Sequence, residues 1–227
     1  AVSFALIGNP HASKAQQNTV TIEGTLKLDK LKPLKLFKVD EGELKEIANC
    51  QPDAQGQFGF HVYPEYEGFY VLGTGESASA VDNYLFWFKK GDKLRVALSK
   101  DRYELIQGSE ENNLLAQWYQ IKYPIEQKSI YFMRSNSNYT DFFPVLETTL
   151  PTVKDWASNV KSSNKKFQIA LQKLVPFEMA FYAINFLQTP RTKHPNAEEL
   201  PAYYTNLNFT EMMDQTDDIY FYPWGKR

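Results

Sequence analysis

Cysteine is almost absent from this chain, since Cys50 is the only one among 227 residues. One cysteine excludes an intrachain disulfide, a Cys-x-x-Cys redox centre and a cysteine-rich zinc site. The neighbours of Cys50, from Asn49 to Pro52, include no histidine or cation that would lower the pKa of its thiol. We therefore interpret Cys50 as a small residue at the end of a strand.

Histidine and the common catalytic motifs are also scarce. The three histidines are His11, His61 and His194, and no two of them have the spacing of a metal-binding pair. The chain has no phosphate-binding glycine loop and no Gly-x-Ser-x-Gly elbow, and adjacent carboxylates such as Glu110 and Glu111 fit the first turn of a helix. The sequence therefore predicts no catalytic, cofactor-binding or metal-binding residue, and a chain that is not an enzyme.

The chain also has no large excess of positive or negative charge and no long apolar run. The formal net charge of -2 provides no basic face for nucleic acid, so we expect no nucleic-acid partner. No stretch approaches the roughly 18 uninterrupted apolar residues of a membrane span, so we expect none in the mature chain. Hydrophobic residues nevertheless make up 43% of the sequence, which is enough for a folded core.

The first residues resemble the end of a secretory signal. An apolar run over residues 1–8 is followed by Asn9-Pro10 and by small residues that permit a cut after Ala15. We interpret residues 1–17 as a signal-peptide remnant or, alternatively, as an N-terminal arm or first strand. A signal would place the protein in the periplasm or at the outer cell envelope.

Residues 18–108 have the hydrophobic period of β-strands. Phe58, Phe60 and Val62 alternate with polar residues or glycine, whereas Tyr84–Phe88 is a nearly continuous apolar run that suits a strand covered on both faces. Turn residues separate about eight such segments, as in an antiparallel β-sandwich or an open barrel. We favour the sandwich.

Residues 109–227 have the period of helices. Ser109 and Ser163-Asn164 are expected helix starts, and Thr189-Pro190 is an expected stop. Pro124 should interrupt the first helix, and Pro176 should kink or split a later one. The sequence predicts an α+β chain, with a β-sandwich over 18–108 and a mainly helical region over 109–227 that leads toward a further domain.

Two aromatic groups have a possible binding role. A cluster near the end, Tyr220, Phe221, Tyr222 and Trp224, is typical of an interface and is expected to dock a neighbouring domain. Tyr84, Trp87 and the region from Tyr63 to Tyr70 are an alternative stacking platform for sugars. Most aromatic residues of an alternating sandwich nevertheless belong to its core.

Short motifs in a fixed order support a family resemblance. They are Thr21–Thr25, Asp53–Phe60, Tyr70–Leu72, Phe88–Asp92 and Ile106–Asn112. Over residues 20–118 the chain resembles the N-terminal domain of unknown function that precedes the thioredoxin-like domain in TlpA/ResA-type (AhpC/TSA family) envelope thiol-disulfide oxidoreductases.

This resemblance implies a secreted β-sandwich in a protein of redox homeostasis or envelope maintenance. Its expected partners are a C-terminal thioredoxin-like domain of the same polypeptide, a protein client or a second copy. Since the chain has no Cys-x-x-Cys, no catalytic residue carries over from the family. We expect a non-catalytic accessory module that positions the redox domain or recognises a client; the alternative is a carbohydrate- or peptide-binding β-sandwich protein of the envelope.

Overall fold

A computed structural model of the protein describes residues 18–100, 102–131, 135–207 and 220–225. The interpretation of residues 1–17 falls outside this range. The prediction of about eight strands is confirmed. The strands are β1 Val20–Lys27, β2 Leu34–Asp40, β3 Glu43–Cys50, β4 Gln57–Val62, β5 Gly68–Gly73, β6 Asn83–Phe88, β7 Lys93–Ser99 and β8 Arg102–Gln107.

The alternating residues form strands because every second side chain enters a core. In β4, Phe58 and Phe60 are buried while Gly59 between them is exposed. Strand β5 is buried along its whole length and therefore has no polar face. The turn between β2 and β3 contains Glu41 and Gly42, both with positive φ (51° and 75°), as a two-residue hairpin turn requires.

The strands form two four-stranded sheets. Their orders are β4-β1-β7-β8 for the first sheet and β3-β2-β5-β6 for the second. All neighbours are antiparallel except β1 and β7, which run parallel, so the first sheet is mixed and the expectation of a wholly antiparallel arrangement is wrong. Hydrophobic alternation looks the same in either strand direction, and no hairpin links β1 to β7, so the sequence pattern carries no sign of this pairing.

The described residues form two hydrophobic cores. Residues of both sheets meet in one core, with Ile22 and Val96 from the first sheet and Leu36 and Phe86 from the second. The other core joins the second sheet to the helices and includes Phe37, Val71, Trp87, Trp118 and Phe167. The second sheet is therefore buried on both sides, which explains the continuous apolar run of β6.

The helical half contains three long helices and two short ones in the described residues. They are α1 Glu110–Ser129, α2 Tyr139–Asn159, α3 Lys165–Gln188, a 3₁₀ turn Ala197–Glu199 and α4 Ala202–Thr205. The predicted starts are confirmed: Ser109 Oγ accepts the Asn112 N–H at 3.3 Å, and Asn164 Oδ1 accepts the Phe167 N–H at 3.2 Å. In the described part of the chain, no helix is long and apolar enough to cross a membrane.

Prolines interrupt these helices less than expected. Helix α1 continues through Pro124 to Ser129, so the predicted interruption is wrong, and α3 is not split at Pro176. A proline inside a helix costs about 3 kcal/mol because it removes one hydrogen bond and crowds the preceding turn. Burial of Tyr119 and Ile125 on either side of Pro124 offsets this cost.

Candidate functional site

A cluster of polar side chains is buried between α1 and α3. Helix α1 contributes Trp118, Lys122 and Glu126, which are four residues apart and therefore lie on one face of the helix. Helix α3 contributes Glu178 and Tyr182 with the same spacing. Each of these side chains is at least nine-tenths buried, which is rare for charged residues unless they are paired.

Lys122 lies at the centre of this cluster. Its Nζ is 2.7 Å from Glu178 Oε1, 2.7 Å from Tyr182 Oη and 3.3 Å from Glu126 Oε2. These contacts match the three donors of an ammonium group. On the other side of Glu178, Trp118 Nε1 donates to Oε2 at 2.5 Å. Both oxygens of Glu178 thus accept short hydrogen bonds from α1, and the cluster joins the two helices.

Glu126 is held less closely than Glu178. Its Oε2 is 3.3 Å from Lys122 and 3.4 Å from Tyr182 Oη. Burial raises the pKa of Glu126, and the attraction of Lys122 only partly opposes this effect. Burial alone would lower the pKa of Lys122, but Glu126 and Glu178 together raise it overall.

Tyrosine rings surround the cluster on the side of the sheets. Tyr103 from β8 lies 5.2 Å from Tyr84 of β6 and 4.5 Å from Tyr119 of α1, measured between ring centroids. Burial raises the pKa of each of these phenols well above its ordinary value. They therefore remain neutral and provide an environment of low polarity for the charges beside them.

A small cavity adjoins the cluster. It has a volume of about 20 Å³ and is lined by the buried charges, by Asn83 and by Trp224. Asn83 Oδ1 is buried and has no hydrogen-bond partner among the described residues. A cavity of this size accommodates about one water molecule, whereas small-molecule sites are typically about 300–1,000 Å³. The ionisable groups and the cavity could hold a proton and a water molecule. The cavity is far too small for an organic substrate.

The described residues include no group of three or more histidine, cysteine, aspartate or glutamate side chains placed to hold a metal ion. Cys50 lies at the end of β3, as predicted, and is partly buried. Burial raises the pKa of its thiol, although a backbone hydrogen bond at Gly59 lowers it in part. A raised pKa makes the thiol a poorer nucleophile at neutral pH.

The four predicted interface residues lie together in the segment 220–225 but differ in exposure. Tyr220 and Phe221 are 43% and 66% exposed, whereas Tyr222 is 4% exposed. Tyr222 Oη donates to the Ala170 carbonyl at 2.8 Å. The ring of Tyr222 also packs against Phe69 and Phe177, which fixes this residue to the rest of the chain.

Trp224 provides a second attachment of the segment 220–225. Its ring stacks on Phe181 at 6.4 Å, and its Nε1 donates to the Ser77 carbonyl at 3.3 Å. The Gly42 N–H also donates to the Tyr220 carbonyl at 2.8 Å. The side chains of Tyr222 and Trp224 thus have partners within the chain, while Tyr220 and Phe221 are exposed. The predicted docking to another domain stays a prediction.

Most residues of the alternative stacking platform for sugars are buried in the core. Tyr84, Trp87 and Tyr70 are at most 4% exposed, and Trp87 packs edge-on against Phe69 and Phe167. Tyr63 is 65% exposed but stands outside this packing. These residues therefore present no shared aromatic surface on which a sugar ring could stack.

Our sequence reasoning missed the buried charged cluster. One signal was available, since Glu178 falls within the apolar stripe of α3 between Leu174 and Phe181. A second signal was the spacing of Lys122 and Glu126, which permits an ion pair on α1. Neither signal shows that the two helices place these charges together.

No family model matches this chain, and no curated protein matches it. The described residues define an α+β protein that combines two four-stranded sheets with a helical layer and a buried ionic cluster.

Proposed function

We propose that this chain is a non-catalytic accessory module of an envelope thioredoxin-like thiol-disulfide oxidoreductase, acting in the periplasm or at the outer envelope. The observation that carries this proposal is the pair Tyr220 and Phe221, exposed on a segment whose other aromatic residues are fixed. Large exposed aromatic side chains on an anchored segment are typical of an interaction surface.

Anchoring makes the surface suitable for docking. Tyr222 is held by a hydrogen bond and by ring packing, and Trp224 by stacking and a second hydrogen bond. The exposed residues beside them lose little further backbone freedom when a partner binds. A preorganised surface of this kind binds more tightly than a free tail with the same side chains.

The partner that we propose is a thioredoxin-like domain of the same polypeptide, as in the family that the chain resembles. The single cysteine of this chain cannot form a dithiol, so thiol-disulfide exchange must come from that domain. The role of the module is then to position the redox domain or to recognise its client.

We further propose that the two sheets form a β-sandwich, as the family resemblance implies. Support comes from the core that residues of both sheets share. The helices pack on the opposite side of the second sheet and hold the segment 220–225 through Ala170, Phe177 and Phe181. In this arrangement the sheets support the helices, and the helices hold the docking surface in place.

The test is a binding titration between this chain and a purified thioredoxin-like domain of a TlpA/ResA-type protein. We expect a saturable interaction that Phe221→Ser together with Tyr220→Ser weakens by about 10-fold or more. Tyr63→Ser is the matched control, because Tyr63 is 65% exposed, close to the 66% of Phe221, but lies outside the segment. No binding, or equal weakening by all three substitutions, would reject the docking surface, and insulin reduction by this chain alone would reject a non-catalytic role.

A further inference from the structure

The buried cluster has one carboxyl group more than it has cations. Lys122 is placed between Glu126 and Glu178 but makes its shorter contact with Glu178, at 2.7 Å against 3.3 Å. Glu178 also accepts the Trp118 N–H, whereas the contacts of Glu126 Oε2 are all longer than 3.2 Å. Glu178 is thus the ion-pair partner of Lys122, and Glu126 is the surplus carboxyl.

In the part of the chain that the structure describes, Lys122 is the cation that faces Glu126. From its own helix, Lys122 and Tyr119 face it, and from α3, Glu178 and Tyr182. The other described ionisable groups that face it are phenols, contributed by Tyr84 of β6, Tyr103 of β8 and Tyr131 just after α1. A second buried negative charge among these groups would be strongly unfavourable, because it would lack both a cation and water. A proton on Glu126 removes that charge.

The cavity connects this carboxyl to the segment 220–225. Glu126 and Trp224 both line it, together with Asn83, whose Oδ1 has no partner among the described residues. An ionised Glu126 would need more water than a cavity of about 20 Å³ can hold. Water can be added most readily on the side of Trp224, because Trp224 is only half-buried.

We propose that Glu126 carries a proton at neutral pH and that loss of this proton at higher pH releases the Trp224 ring from the body of the protein, so that, among the described residues, Tyr222 and the Tyr220 carbonyl alone hold the segment 220–225. The carboxylic acid keeps the cluster neutral and the cavity small. Ionisation hydrates the cavity and displaces the Trp224 ring. The protonation state of one buried residue thus determines whether Trp224 helps to hold Tyr220 and Phe221 in place.

This inference deepens the proposed function, because Tyr220 and Phe221 form the proposed docking surface. Its test needs only this chain and no binding partner. A failed docking experiment would leave the proton-linked release intact, and a failed release experiment would leave the docking surface intact.

The experiment is ¹⁹F NMR of the protein labelled with 5-fluorotryptophan, with the Trp224 signal assigned by Trp224→Phe. Spectra are recorded from about pH 5 to about pH 9, the range in which buried carboxyl groups with raised pKa values ionise. Glu126→Gln is the test variant, because its amide imitates the protonated acid. Glu198→Gln, an exposed glutamate, is the control.

We expect the Trp224 signal of the wild-type protein and of Glu198→Gln to move toward the position of a solvent-exposed indole as the pH rises. The Glu126→Gln signal should stay in the buried position throughout. A wild-type signal that does not change, or an identical change in Glu126→Gln, would overturn the proposal. If Glu126→Gln does not fold, a ¹³C titration of the wild-type Glu126 carboxyl decides, and a fully ionised carboxylate at about pH 7 rejects the proposal.

Discussion

Asn112 pairs with the backbone of Trp87 much as a neighbouring strand would. Its Oδ1 accepts the Trp87 N–H at 2.9 Å, and its Nδ2 donates to the Trp87 carbonyl at 2.8 Å. Trp87 lies in β6, which is one of the two edge strands of the second sheet. One side chain of α1 therefore satisfies both backbone groups of an edge position that would otherwise be open to strand pairing.

Replacement of Asn112 should destabilise the protein through these two backbone groups. Asn112→Leu removes both hydrogen bonds and leaves a buried N–H and a buried carbonyl without partners, at a cost of about 2–4 kcal/mol. Urea denaturation measures the change in the free energy of unfolding. Gln120→Ala, an exposed position on the same helix, is the control and should change stability by less than about 0.5 kcal/mol. Similar values for the two variants would show that the Asn112 pairing contributes little.

Lys122→Met should be among the most destabilising substitutions in the helical half. It removes the only cation of the buried cluster and leaves Glu178 without its partner, at an expected cost of about 3–5 kcal/mol. The triple variant Lys122→Met, Glu126→Gln, Glu178→Gln removes every charge at once and should lose clearly less stability than Lys122→Met alone. The comparison is made by chemical denaturation at neutral pH. If the triple variant were the less stable protein, charge imbalance would not be the cause.

Glu111 should contribute stability that is lost in acid. Burial alone would raise its pKa, but hydrogen bonds from Lys89 and Asn164 lower it to about 2. The folded protein therefore holds the Glu111 proton more weakly than the unfolded chain. The contribution is fully present above the ordinary value of 4.5 and disappears as the pH falls toward about 2.

The corresponding experiment compares Glu111→Gln with the wild type over this pH range. At neutral pH we expect a loss of about 1–2 kcal/mol, since the Lys89 side chain is 38% exposed and solvent screens the pair. Near pH 2 the two proteins should differ much less. A difference that stays constant from neutral pH to acid would contradict the assigned role of the carboxylate.

Tyr222 should determine whether the segment 220–225 stays in place. Tyr222→Ala removes ring contacts with Phe69 and Phe177 and should cost about 3 kcal/mol locally. Tyr222→Phe removes only the hydrogen bond to Ala170, at about 1 kcal/mol. Hydrogen exchange of the backbone amides in this segment measures the loss of local stability. Equal protection in the alanine variant and the wild type would show that other contacts hold the segment.

Local structure in this protein was largely predictable from the sequence. The alternation of Phe58 and Phe60 indicated β4, and Ser109 and Asn164 indicated the starts of α1 and α3. These features depend on neighbouring residues, so a sequence pattern contains the information. The effect of Pro124 was misjudged because it is decided by tertiary burial and not by local sequence.

The candidate site was not predictable in the same way. Lys122 and Glu178 are far apart in sequence, and their pairing depends on the rotation of α1 against α3. Burial also makes residue type a poor guide to environment. A glutamate on a helix is normally solvated, but Glu126 is buried beside phenol rings and lines a cavity. The exposure of Tyr220 and Phe221 could be suspected from composition, whereas the attachment of Tyr222 and Trp224 could not.

The parallel pairing of β1 with β7 has a consequence for how the protein folds during synthesis. Strand β1 is made first, yet one of its two neighbours, β7, ends only at Ser99. Until that strand has left the ribosome, β1 can pair only with β4, and closing so long a loop delays the first sheet further. While the chain between Lys27 and Ser99 is being made, one side of the first strand remains available to misfolding or to a chaperone.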